Sequence, residues 1–388
     1  MKILHTADFH LSNHSIVPIN VDVPKINVPI NVRTKDTFDR LDYMIKYAIN
    51  NNIDYFIIAG DVFDNHTPSM LLKRWFAKMI KKLIKHKINV IILVGNHDSD
   101  GEISAFADVK ELIVESKFLK IVDKAVILHY DSLDFYCLPF SINKQKPEQI
   151  LTAFHKRKNY DKIIILIGHL IVDGAKIGEQ NIPAKSTVTV KYLCGYNYVA
   201  LGDLHINQQI GNPRIQKGNN IWYSGSIIRK NMGETDEKYF NIVEFKNNKN
   251  MPIVTREKLE DRKFLNIETD FEKFTEFNKY LKNQQKVNHY YDDEIEKDSV
   301  IKFKVSATKN EYLSFDINEF RKNIEKVYGV LYIMVEWLRI TKKIKKNVNL
   351  FVTAEEAFIK YVEQNPPKHY QNDIIAEGKR MIIDIGQK

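Results

Sequence analysis

Val90-Ile91-Ile92-Leu93-Val94-Gly95-Asn96-His97-Asp98 is a five-residue apolar run that stops at a glycine, an amide, an imidazole and a carboxylate. A run of this length suffices for a buried strand, and open α/β sheets place their chemistry beyond the carboxyl ends of their strands. Four other runs end in the same way. Met1–His5 leads into Asp8-Phe9-His10, and Tyr55–Ala59 into Gly60-Asp61-Val62-Phe63-Asp64. Ile163–Ile167 leads into Gly168-His169, and Tyr198–Leu201 into Gly202-Asp203-Leu204-His205. A lone Asp-x-His is usually a turn with a surface histidine, and Gly-Asp after a strand is commonly turn chemistry. Five such endings in order predict loops that converge on a metal site.

The candidate ligands are Asp8, His10, Asp61, Asn96, His169, Asp203 and His205: three carboxylates, three imidazoles and one amide, with no thiolate. Oxygen and imidazole donors suit manganese, iron or magnesium, whereas structural zinc usually recruits cysteine. Seven ligands exceed what one ion requires, so two ions sharing a carboxylate is the economical arrangement. Two ions roughly 3.5–4 Å apart can hold both the attacking and the leaving oxygen of an in-line displacement at phosphorus. The expected reaction is therefore phosphoester hydrolysis. His97, directly after Asn96, is placed to protonate a leaving oxygen or to stabilise developing charge. Asp98 is expected to hold the loop rather than to react.

These motifs resemble the calcineurin-like metallophosphoesterases, and within them the SbcD-type nuclease subunit of double-strand-break repair and meiotic recombination. Ala59–Asp64 followed by Pro68-Ser69 is similar to the second motif of that subgroup, and Val94–Ser99 to its third. Tyr198–His205 is similar to the fifth. Tyr223-Ser224-Gly225-Ser226, Gly233-Glu234 and Lys238-Tyr239-Phe240 are similar to the segment that closes the nuclease core. The resemblance is strong over residues 1–245 and holds beyond them only in layout. It implies that Asp8, His10 and His205 bind one metal, that Asp61 bridges, and that Asn96, His169 and Asp203 bind the second. It also implies that His97 is catalytic, with Asp64 orienting its ring by a hydrogen bond. The family usually has Gly-His-x-His at the fifth motif, and here Asp203 replaces the first histidine. Aspartate also binds manganese or magnesium, so this is a ligand swap that adds negative charge to the second site.

The resemblance implies an α/β fold: a metallophosphoesterase β-sandwich flanked by helices, a small α/β capping domain and a C-terminal helical tail. It implies a metal-dependent nuclease acting on double-stranded DNA ends with two divalent ions, most simply manganese, with magnesium as the alternative. The implied partner is an SbcC-type coiled-coil ATPase bound through the C-terminal helices, with a homodimer as a further family expectation. Two rival readings use the same residues. A phosphatase or cyclic-nucleotide phosphodiesterase would prefer a small aryl phosphate to duplex DNA. An inactive scaffold bridging DNA and the ATPase would lack an essential ligand, yet no ligand position holds an inert residue.

Composition agrees with this reading. Lys and Arg total 58 against 49 Asp and Glu, a net charge of +9, which favours a polyanionic partner through counterion release. A Lys-, Asn- and Ile-rich chain can be basic for genomic reasons alone, so charge supports DNA only together with the site. Two cysteines, Cys137 and Cys194, exclude a disulfide framework and suit a reducing cytoplasm. No apolar stretch approaches the length of a membrane span or a signal sequence, so a cytoplasmic location without membrane contact is expected.

The 388 residues predict more than one domain. Residues 1–250 alternate strands and helices and form the expected nuclease domain. Asp36–Asn50 carries Phe38, Leu41, Met44, Ile45 and Ala48 on one helical face. Met70–His86 carries Leu71, Leu72, Trp75, Met79, Leu83 and Ile84, with Lys73, Arg74, Lys78, Lys81, Lys82 and Lys85 on a solvated face. Between the first ligand loop and the first helix, Leu11–Arg33 contains Pro18, Pro24 and Pro29, so it is expected to be extended. Residues 255–340 read as β-α-β-α-β, a small α/β domain, and the resemblance implies that a domain in this place caps the nuclease and helps hold DNA. Residues 341–388 are a basic linker followed by two short helices, the first opened by the capping box Thr353-Ala354-Glu355-Glu356. Helices this short must dock on something. His14, His66, His86, His129, His155, His289 and His369 carry no partner motif and are expected to be ordinary surface or satisfied histidines, although His66 lies near Asp61.

Overall fold

The computed structural model describes residues 1–340 except 24–25, 114–115, 141–145, 178–181, 184–187, 212–219, 235, 247–250, 284–290 and 292–293, together with 358–359, 361–362 and 377–378. Apart from those last six residues, which are helical, the expected C-terminal helices and the basic linker lie outside the described residues, as do His289 and His369.

Two six-stranded sheets face each other. The first runs Ile253–Leu259, Lys238–Glu244, Lys2–Thr6, Tyr55–Ile58, Asn89–Leu93, Leu119–Val122. Its last four strands are parallel, and the first two pair antiparallel. The second runs Gln208–Ile210, Ile221–Tyr223, Tyr198–Gly202, Ile163–His169, Leu133–Leu138, Val126–His129, with four central parallel strands. Side chains alternate across each strand, so one strand serves two cores. Ile3, Ile57, Ile91 and Leu93 meet Phe135, Ile165, Ile167 and Ala200 between the sheets. Leu4, Phe56, Ile58, Val90 and Ile92 face outward against Phe38, Leu41, Leu72 and Phe76 of the helices. Helix Pro147–His155 covers the outer face of the second sheet, where Leu151 and Phe154 meet Leu166 and Tyr136. The result is the helix-flanked β-sandwich expected from the sequence.

The first helix, Val32–Asn50, buries all five residues of the expected face. It starts four residues before Asp36 because the Asn31 side chain accepts from the Arg33 amide at 2.9 Å and caps it. Helix Met70–Lys85 departs from expectation at Lys73, which is buried and paired with Asp108 at 2.5 Å instead of solvated. The proline-containing segment is extended: Asn20–Val23 and Ile26–Asn31 form an antiparallel hairpin. Ile16, Val17, Ile19 and Val21 from this segment pack with Phe264 and Val300.

Those last two residues belong to a three-stranded sheet, Phe264–Asp270, Val300–Ala307 and Tyr332–Arg339, in that order. Helices Phe271–Lys282 and Ile317–Tyr328 accompany it, as the periodicity of this region predicts. Phe274, Phe277, Phe303 and Phe320 fill the space between them. The chain divides into two compact units, Met1–Val305 with Asp316–Glu336, and Ser306–Phe315 with Trp337–Lys388. Within the second, Thr308 and Glu311 form a capping box at the start of helix Lys309–Ser314, and Tyr312 and Phe315 contact Trp337.

An ion network joins the first helix to the chain entering the three-stranded sheet. Arg33 donates to Asp36 at 2.7 Å and to Asp261 at 3.0 Å, and Arg262 donates to Asp36 at 2.7 Å. Arg33 is only 4% exposed, and the Asp261 side chain 1%. Removing one partner from a buried pair leaves an uncompensated charge, which costs about 3–5 kcal/mol. Arg262 still serves Asp36, so the lower end applies. Arg33→Ala should therefore lower unfolding stability by about 3 kcal/mol in urea titration; a loss below about 1 kcal/mol would mean that the network adds little beyond a surface pair.

Candidate metal centre

All seven candidate ligands lie at the carboxyl ends of parallel strands, and the two sheets bring them together. Asp8 and His10 follow Lys2–Thr6, Asp61 follows Tyr55–Ile58, and Asn96 follows Asn89–Leu93. His169 ends Ile163–His169, while Asp203 and His205 follow Tyr198–Gly202 in the second sheet. Turning so sharply off a strand requires unusual backbone. Asp8, His10, Asp61 and Asp203 have φ of 55°, 44°, 50° and 93°, in the left-handed region that non-glycine residues seldom occupy. Only three other non-glycine residues have positive φ among those described, so this conformation concentrates at the site. The glycines are there for clearance. A Cβ on Gly60 would come within 2.1 Å of His169 Nδ1, and one on Gly95 within 2.1 Å of Asp61 Oδ1.

Asp61 sits at the centre. Its Oδ1 accepts from the His97 amide at 3.0 Å, while Oδ2 lies 3.7 Å from His10 Nε2 and 3.4 Å from His169 Nε2. Around it the donors fall into two sets. His10 Nε2 and His205 Nε2 face each other at 3.1 Å. His169 Nε2 is 2.9 Å from Asn96 Oδ1 and 3.9 Å from Asp203 Oδ1. Asp8 accepts from the Asp203 amide at 3.0 Å through Oδ1, and its buried Oδ2 has no hydrogen-bond partner. Donor atoms of Asp8, Asp61 and His169 lie within 4.8 Å of one another, as do those of His10, Asp64 and His97.

The outer ring atoms fix the tautomers. His169 Nδ1 donates to the Ala59 carbonyl at 2.8 Å, and His205 Nδ1 donates to Glu234 Oε1 at 2.9 Å. His10 Nδ1 faces Asp64 Oδ1 at 3.4 Å. Each ring therefore directs Nε2 inward. Two Nε2 lone pairs 3.1 Å apart repel unless a cation or proton lies between them, and the unpartnered Asp8 oxygen needs the same compensation. The residues fit a pair of divalent ions on this ground.

Charge distribution points the same way. Burial opposes protonation of His169, yet Asp61, Asp8 and Asp203 together raise its pKa to about 10. Asp61 must first overcome burial, and His169 and His10 then hold its carboxyl well below the ordinary range. Burial and the Asp61 charge push Asp8 up to about 7, with His169 and His205 opposing. Several carboxylates at one buried point thus ask for positive charge from protons or metal ions.

Asp98 takes the structural part expected of it: fully buried, it accepts from the amides of Phe63 at 2.8 Å and Gly95 at 2.9 Å and ties two ligand loops together. Asp64 makes the expected hydrogen bond to the His97 ring, through its main-chain carbonyl, which takes His97 Nδ1–H at 2.9 Å, while its carboxylate faces His10. His14 differs from expectation. Though exposed, it lines a cavity of about 530 Å³ together with His10, Asp64, His97 and His205. Its neighbours in sequence form no motif, and the extended ribbon alone carries it there. His66 Nε2 lies 3.4 Å from Asp100. His86, His129 and His155 are satisfied by Lys82 O, Asp134 and Tyr192 O. Cys137 is fully buried and Cys194 partly so. In the sequence Glu234 stands out only as part of a closing segment, and no spacing signal marks it as the partner of His205.

Comparison with known proteins gives the family. Residues 1–207, just over half of the chain, match the calcineurin-like phosphoesterase family. A protein of Staphylococcus epidermidis, named as the D subunit of the nuclease SbcCD, is 26% identical over 320 residues, 75% of this chain and 78% of that protein. One of the same name from Staphylococcus saprophyticus is 26% identical over 275 residues, 64% and 67% of the two chains. A solved dimetal phosphatase from Danio rerio superposes with a TM-score of 0.42 and 10% identity, covering 67% of this chain and 97% of that one. No helix among the described residues is long and apolar enough to cross a membrane. With its strand-end ligands, helix-flanked sandwich and matching first 207 residues, this chain belongs to the calcineurin-like phosphoesterase family.

Proposed function

We propose that this phosphoesterase is the nuclease component of an SbcCD-type complex and hydrolyses phosphodiester bonds at the ends of double-stranded DNA. The observation that carries the reading is the convergence of all seven ligand positions and His97 on one point, in a chain whose curated relatives are named as the D subunit of the nuclease SbcCD. In this reading Asp8, His10 and His205 hold one ion, Asn96, His169 and Asp203 hold the other, and Asp61 bridges. Two manganese or magnesium ions so held would supply the Lewis acidity that the attacking and leaving oxygens need. Asp203 makes the second site more anionic than a histidine would.

His97 has the catalytic part. The Asp64 carbonyl fixes Nδ1–H, which leaves Nε2 of this cavity-lining ring to pass a proton to a departing oxygen. His14, exposed and lining the same cavity, is placed to meet the phosphate backbone. The net charge of +9 favours that polyanion. Residues 255–340 form the capping domain that helps hold DNA in this proposal. Residues 341–388 bind the coiled-coil ATPase, the complex works in the cytoplasm, and two copies pair.

With manganese and an end-labelled linear duplex, the purified chain should release nucleotides, and EDTA should stop the release. His97→Asn should slow cleavage about 100- to 10,000-fold, the span of acid–base catalysis, with metal titration unchanged. Loss of a metal equivalent in that variant would make His97 a ligand instead. Preference for a small aryl phosphate over duplex DNA would move the assignment to a phosphatase. Asp203→Ala should weaken one of two manganese equivalents in calorimetric titration, and an unaltered isotherm would remove it from the site. Deleting residues 350–388 should release the ATPase in co-purification while the nuclease alone stays active; continued co-purification would place the contact elsewhere.

A further inference from the structure

The loop that follows Ile221–Tyr223 reaches both histidines of the first metal set from behind. Glu234 is 7% exposed and accepts four hydrogen bonds. Oε1 takes His205 Nδ1–H at 2.9 Å and Asn231 Nδ2 at 3.0 Å. Oε2 takes the Lys230 amide at 3.1 Å and Lys238 Nζ at 2.9 Å. Lys238 is 1% exposed, so its ammonium depends on this carboxylate and on Asp236 at 3.1 Å. Lys230 in turn donates its Nζ to the carbonyls of Phe9 at 2.5 Å and His10 at 3.1 Å, bracing the strained turn that carries His10. One carboxylate therefore meets the ring of His205, the ammonium of Lys238 and the main chain of the lysine that braces the His10 turn.

From this arrangement we propose that Glu234 is a positioning residue of the metal centre, holding His205 as the Nδ1–H tautomer so that its Nε2 lone pair converges with that of His10. The inference rests on His205 being a metal ligand, the reading proposed above. A carboxylate is the side chain suited to the place because all four neighbours are donors and none accepts. An amide matches only half of them. Glu234→Gln must either turn its NH2 towards the Lys230 amide and Lys238, or turn it towards His205. The second choice makes Nδ1 the acceptor and leaves the proton on Nε2, where it blocks coordination. A hydrogen-bonded carboxylate also raises the ligand strength of the imidazole, and losing such partners typically weakens metal binding about 10- to 100-fold.

The test is calorimetric titration of the EDTA-stripped full chain with manganese, in wild type, Glu234→Gln and His205→Ala. Glu234→Gln should weaken one equivalent about 10-fold or more and leave the other unchanged. His205→Ala should weaken the same equivalent. If His205→Ala weakens it and Glu234→Gln does not, the positioning role of Glu234 is overturned while the ligand assignment stands. If neither changes the isotherm, His205 is not a ligand and the underlying reading fails. Weakening of both equivalents together with a large fall in the melting temperature of the stripped Gln variant would show a merely structural role and also overturn the proposal. A second readout avoids the variant altogether. Long-range proton–nitrogen spectra of the stripped wild type should show His205 with its proton on Nδ1, and a proton on Nε2 alone would exclude the role.

Discussion

Crowding of buried negative charge organises this molecule. Asp8, Asp61 and Asp98 are each at most 2% exposed, and Asp61 is within reach of the electrostatic field of the other two. Burying one unpaired carboxylate is costly, and burying three together is possible only with dedicated compensation. Backbone amides provide part of it, through Asp98 and through the His97 and Asp203 amides. Imidazoles provide another part. The remainder, seen in the lone-pair face-off of His10 and His205 and in the unpartnered Asp8 oxygen, is the place for metal ions. The left-handed turns at four ligands are the conformational cost of bringing these groups to one point.

What sequence makes legible follows from what is local. Strand ends, the polar residues that follow them and the amphipathic helices are set by periods of two and 3.6 residues, which need no knowledge of neighbours. Lys73 escapes such a reading because its partner Asp108 is distant in sequence and makes burial of the charge tolerable. For Asp64 the sequence leads to the hydrogen bond but not to the atom: a residue letter does not tell whether carbonyl or carboxylate meets His97. Glu234 and His14 are invisible as site residues for a related reason. Each reaches the centre through a loop path that no periodicity encodes.

The proline-containing ribbon lines a cavity and braces a sheet at the same time. It places His14 at the cavity and packs Val17 and Val21 with Phe264 and Val300. Arg33, at its end, meets Asp261 just before the strand that carries Phe264. The edge of the metal cavity and the start of the three-stranded sheet thus share one set of contacts, so displacement of one bears on the other.

The candidate ligands come from two sheets, and this has a mechanical consequence. Asp8, His10, Asp61 and Asn96 ride on one sheet, whereas His169, Asp203 and His205 ride on its partner. The layers touch through aliphatic side chains such as Ile57, Ile91, Ile165 and Ile167, and directional bonds register them where the His5 ring meets Tyr198 Oη at 2.9 Å and His169 Nδ1 meets the Ala59 carbonyl at 2.8 Å. A small slip there would open every cross-sheet donor pair at once. The ions, when bound, would act as rivets across the sandwich, so that the chemistry of the site and the alignment of the two layers become a single property.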